Sequence, residues 1–231
     1  MSSDKKTAKI VGVLFLLAAI TAVIGLNLYD PILNGTDYLN RGTEHANQVI
    51  LGAIMELILV VSVVGTATTM FPILRKYNET IALWHVCFRF LEAVIITVGI
   101  ISVLSLLTIS REFVAGGSQN AAYYLASGTL LKAIHDWTFL LGPLFMLGIN
   151  TIMYSYIFYK TKLVPRFIST LGITGAILVF ICAFLVMYGV FPQVSLWGGI
   201  FALPAIWLIV KGFNKSAIAS ISVQSEHDQI A

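Results

Sequence analysis

From Ile81 to Ile109 the chain runs for 29 residues in which Arg89 and Glu92 are the only charged side chains. A helix of that length crosses the ~30 Å hydrocarbon core of a bilayer. In hydrocarbon, backbone polar groups must be satisfied within the protein, so a spanning segment of this kind is helical. At about 100° per residue, His85, Arg89 and Glu92 fall on one face of that helix. A charge at the bilayer centre costs at least ~2.5 kcal/mol, so this face is predicted to look onto protein or water and not onto lipid.

The rest of the chain has the same character. Of its 231 residues 58% are hydrophobic and 11% charged, whereas about a quarter of a soluble domain is charged. Residues 1–9 form a short basic segment, 10–212 a single transmembrane domain, and 213–231 a polar tail predicted to be disordered. The basic start resembles the n-region of a signal peptide. The apolar part Ile10–Tyr29 is longer than a cleavable h-region of roughly 7–15 residues, so it is expected to stay as the first span. A polar loop, Asp30–Asn47, leads to a second helix over Val49–Leu74, and the third follows over Ile81–Ile109. Residues 110–121 are expected to be a loop. The stretch Ala122–Tyr159 would be about 57 Å long as one helix, nearly twice the core thickness, so a break is expected near Gly128. An interfacial piece with Tyr123 and Tyr124 would then precede a fourth span from about Ile134 to Tyr159. The fifth helix is Phe167–Val190. Phe191-Pro192-Gln193 makes a tight return, and a short sixth helix, Val194–Val210, is kinked at Pro204. The expected fold is therefore an all-α bundle of about six spans.

Lysine and arginine give the orientation. Lys5, Lys6, Lys9, Arg75, Lys76, Lys160, Lys162, Arg166, Lys211 and Lys215 lie on one side, and Arg41, Arg111 and Lys132 on the other. The richer side is cytoplasmic by the positive-inside rule, which places both termini there. Cys87 and Cys182 fall in different apolar runs and are expected to be small packing residues.

Seven polar residues at membrane depth are the candidate functional groups: Glu56 on helix two, His85, Arg89 and Glu92 on helix three, and His135, Asp136 and Asn150 on helix four. Arg89 and Glu92 are close enough to pair. Such a pair either fixes helix packing or serves a site for an anionic head group, a substrate or a proton. Snorkelling of Arg89 to the interface is the third reading. Glu56 lies about 10 Å from the start of helix two, on a face with Gly52, Ala53, Val60 and Ala67. It reaches Arg89 only if the arginine extends toward it; otherwise it is a neutral carboxyl bonded to a backbone carbonyl. Asp136 suits the positive end of a helix dipole at the start of helix four. Alternatively His135 faces the bundle in line with Gly142, Met146 and Met153, forming a proton or metal site with Glu56. Asn150 reads as interhelical glue.

One run, Lys160-Thr161-Lys162-Leu163-Val164-Pro165-Arg166-Phe167-Ile168-Ser169-Thr170-Leu171-Gly172-Ile173-Thr174-Gly175, resembles a signature of the bacterial membrane family known as domain of unknown function 4386. Phe88-Arg89-Phe90-Leu91-Glu92-Ala93 is similar to it too, as is Ile134-His135-Asp136 leading to Gly142 and Gly148. The likeness runs from Ala8 to about Gly212. It implies a helical bundle of the bacterial cytoplasmic membrane and no particular activity, cofactor or catalytic residue.

Three function classes remain. The first is a binding or regulatory protein recognising a small ligand, a lipid head group or another membrane protein through a polar seam between helices two, three and four. The second is a transporter or channel whose path passes Arg89, Glu92 and Glu56, although the two halves of the chain show no repeat of the kind many transporters have. An intramembrane enzyme using Glu56, His135 or Asp136 comes last, for lack of a nucleophile–base pair. The expected partner is the lipid bilayer. No nucleic acid, metal or cofactor is expected, and oligomeric state is not legible in the chain.

Overall fold

The computed structural model describes residues 3–116, 120–190 and 202–228. Every regular element among them is helical: α1 (Ser3–Leu28), α2 (Asp30–Leu33), α3 (Tyr38–Glu44), α4 (Ala46–Leu74), α5 (Glu79–Gly116), α6 (Ala121–Phe139), a π-helical segment (Leu140–Met146), α7 (Leu147–Thr161), α8 (Arg166–Met187), α9 (Ala202–Val210) and α10 (Lys215–Asp228). Five helical stretches are long and apolar enough to cross a membrane: α1, α4, α5, the continuous Ala121–Thr161, and α8. The expected return at 191–193 and the first half of the expected sixth helix lie outside the described residues.

The long α5 is the axis of the bundle. It packs against α3, α4, α6, the π segment and α7, while α1 lies between α4 and α9. Small residues set the spacing. A Cβ on Gly25 of α1 would sit 3.3 Å from the carbonyl oxygen of Gly52 on α4, and one on Gly52 would sit 3.2 Å from that of Gly25. Small residues on both helices permit that approach.

Several boundaries differ from the sequence expectation, each for a packing reason. The loop predicted over Asp30–Asn47 contains α2 and α3, and its Ile32, Tyr38 and Leu39, with Tyr29 just before it, are buried with Val103, Leu106 and Leu107 of α5. Ser110 of α5 donates to the Leu39 carbonyl and bonds Thr43 at 2.8 Å, so residues 110–116 continue α5 where a loop was expected. No break occurs at Gly128. A Cβ there would fall 2.6 Å from the Tyr38 hydroxyl, so the glycine makes room for a neighbour and does not end a helix. The interruption comes later, at the π segment, where Pro143 has no N–H to donate and its ring crowds the preceding turn. The tail expected to be disordered forms α10, with Ala217, Ile218 and Ile221 buried against the ends of the bundle. Cys87 is exposed and Cys182 half-buried, so Cys87 is not a packing residue of the core.

Candidate functional site

Two polar centres lie along the inner face of α5. The first is built from α5 and α7. Arg89 donates through Nη1 to both carboxylate oxygens of Glu92, at 3.0 Å each, and Asn150 donates through Nδ2 to Glu92 Oε2 at 2.7 Å. All three residues are almost wholly buried. The i,i+3 spacing brings Arg89 and Glu92 together on one helix. Asn150 arrives from 58 residues further along the chain. On its other side the Arg89 guanidinium lies 5.8 Å from the Phe15 ring of α1, a cation–π contact.

One turn before Arg89, His85 is fully buried, its ring set edge-on to Tyr154 at 5.7 Å. Neither His85 nitrogen has a hydrogen-bond partner among the described residues, and the same holds for Arg89 Nε and Asn150 Oδ1. The glycines of the family-like segments seat α7 on α8 behind this centre. A Cβ on Gly172 would meet Ser155 Oγ at 2.7 Å, and one on Gly148 would meet the Ala176 carbonyl at 3.3 Å.

The second centre lies about two turns, ~10 Å, further along α5 at Gly99. Tyr29 donates its hydroxyl to Glu56 Oε2 at 3.2 Å. The Tyr29 ring stands edge-on to His135 at 5.9 Å. Glu56 and His135, both buried, line a cavity of about 10 Å³ together with Ile96, Gly99, Thr138, Phe139 and Pro143. That is about the space a single water needs. Gly99 belongs here for a steric reason: a Cβ would lie 2.7 Å from Thr138 Oγ1.

Six of the seven candidate residues are thus buried inside the bundle, but they form two groups and not one seam. Glu56 pairs with Tyr29 and does not meet Arg89. Asp136 lies at the rim of the second group, with its side chain 60% exposed and Oδ1 3.6 Å from His135 Nδ1. It does not start a helix either, because α6 begins at Ala121, about four turns earlier. His135 faces the bundle, as a site shared with Glu56 requires, but Met146 and Met153 are only half-buried. After the π segment the buried face passes instead through Asn150, Thr151 and Tyr154. Sequence reasoning passed over Tyr29, Phe15, Tyr154 and Pro143. Of these, Pro143 carried a signal, since a proline in a spanning helix frees backbone groups that neighbours must satisfy. Among the described residues, no group of three or more His, Cys, Asp or Glu is placed to hold a metal ion.

A family model described as domain of unknown function DUF4386 matches residues 10–212, and the chain belongs to that family. Neither a curated protein nor a solved structure matches it.

Proposed function

We propose that this member of the family is a six-span protein of the bacterial cytoplasmic membrane, with both termini inside, that binds a small polar ligand beside His85 and Arg89 as a binding or regulatory protein. The orientation rests on ten basic residues against three in the flanking segments. Reporter fusions after Thr80 and after Phe167 read as cytoplasmic in this arrangement, and one after Gly117 as external. An external signal at Thr80 overturns it.

The observation that supports binding is the uneven satisfaction of the first centre. Glu92 accepts three hydrogen bonds, whereas His85 and the Nε edge of Arg89 have none among the described residues. Structural polar networks in a protein interior are normally closed, because an unpaired buried donor costs about 1–3 kcal/mol. A ligand with acceptor oxygens would satisfy those groups, while the Glu92 and Asn150 contacts hold the guanidinium in place. Mass analysis of small molecules released from gently purified protein tests this. Wild type is expected to release a species that His85→Leu protein, folded to the same extent, does not carry. Identical release from both defeats the reading.

The π segment favours transport as a second reading. Pro143 lies against the cavity shared by Glu56 and His135, and π-helical turns inside α-helices are frequent at functional sites. Proteoliposomes loaded with a pH-sensitive dye separate the two: a proton flux that Glu56→Gln abolishes supports transport, and its absence favours binding alone.

A further inference from the structure

Away from both polar centres, the turn between α7 and α8 meets the turn between α9 and α10 around a hollow of about 480 Å³. Its lining includes Lys162, Arg166 and Lys211 and, among the described residues, no carboxylate. Trp207 and Asn214 also border it, over a floor of buried Leu163, Val164 and Phe213. The Asn214 N–H donates to the Leu163 carbonyl at 3.0 Å and ties the two turns together.

One of these cations sits on a strained backbone. Lys162 ends α7 in the left-handed conformation, φ 57° and ψ 27°, where glycine or asparagine is the usual occupant and another residue carries about 1–2 kcal/mol of strain. Gly212, at φ 75°, makes the matching bend beside Lys211. Arg166 lies with its guanidinium 5.3 Å from the Tyr159 ring, a cation–π contact. It also opens α8, whose N-cap Pro165 makes no side-chain hydrogen bond, so the positive end of that helix dipole borders the same space.

We propose that this hollow binds a phosphate-bearing group. Three cations and a helix N-terminus supply the charge and donors that phosphate oxygens take. The apolar floor and the Trp207 ring suit what is attached to the phosphate, and the volume lies in the range of small-molecule sites. An anionic phospholipid head group and a soluble phosphate compound share this chemistry.

The test uses full-length protein in neutral detergent, with thermal unfolding followed during titration by short-chain phosphatidylglycerol, short-chain phosphatidylcholine or inorganic phosphate. Phosphatidylglycerol is expected to stabilise the wild type at concentrations about tenfold or more below phosphatidylcholine. The variant Lys162→Gln/Arg166→Gln/Lys211→Gln is expected to lose that difference. Arg75→Gln/Lys160→Gln/Lys215→Gln removes three cations that do not line the hollow and is expected to keep it. Stabilisation by inorganic phosphate that depends on the same three residues supports the site and assigns it to a soluble ligand. A response to phosphatidylglycerol without one to phosphate assigns it to a head group. Equal responses to the two lipids with no stabilisation by phosphate, or equal losses in the two triple variants, overturn the proposal. If the lining variant does not fold, Lys162→Gln and Lys211→Gln alone are each expected to raise the half-saturating concentration several-fold, and no shift in either overturns it.

Discussion

The two polar centres on α5 meet the same problem, an acidic side chain inside an apolar bundle, with different means. Glu92 is held by an arginine and an asparagine through three bonds of 2.7–3.0 Å. Glu56 is held by one phenol at 3.2 Å and borders a water-sized cavity. The first arrangement closes its charge pair within α5 and reaches α7 through the Asn150 amide. The second depends on packing, since Gly25, Gly52 and Gly99 let α1, α4 and α6 close in around a carboxyl with one bond. The first centre is most exposed to loss of a charged partner, and the second to loss of a glycine.

The largest expected effect comes from breaking the pair. Arg89→Ala strands Glu92, and unfolding in detergent is expected to show a loss of about 3–5 kcal/mol. Arg89→Met combined with Glu92→Gln keeps the Asn150 contact and removes both charges, so most of that loss returns. A double variant as unstable as the single one would show that the centre depends on more than its charges.

Next in size is an attack on the packing of the second centre. On Gly52→Ala the new methyl meets the Tyr29 ring at 2.8 Å and pushes it from Glu56, which overpacking usually makes a loss of about 1–3 kcal/mol. Wild-type stability in this variant would mean that α1 slides freely on α4. Tyr29→Phe leaves the ring against His135 and removes only the bond to Glu56, for an expected loss of about 1 kcal/mol. The smallest effect belongs to Asp136→Asn, within about 0.5 kcal/mol, because that side chain is largely exposed. A larger change there would bring Asp136 back into the second centre.

The apolar runs made α1, α4, α5 and α8 legible in the chain, and the three-residue spacing of Arg89 and Glu92 made their pairing legible, because both are local properties of one helix. Asn150 and Tyr29 were recognisable as polar residues but not as partners of Glu92 and Glu56, since those contacts exist only once separate helices are side by side. Gly128 was misread for the same reason: the space it leaves is filled by Tyr38, about 90 residues earlier and on another element. The tail was misread by composition. Phe213, Ala217, Ile218 and Ile221 recur at helical spacing, but Asn214, Lys215, Ser216 and Ser220 among them hid the stripe that packs against Met70, Leu74 and Phe158.

The pairing of α1 with α9 sets an order of events during synthesis. Gly12 meets Ala205 and Ile209 so closely that a Cβ would lie 2.8 Å from the Ala205 carbonyl, yet these residues are about 190 positions apart. At roughly 5–20 residues per second, the first helix waits some 10–40 s in the bilayer before its neighbour is made. Over that interval its glycine groove is open to lipid or to any passing helix. The bundle closes last where the chain began.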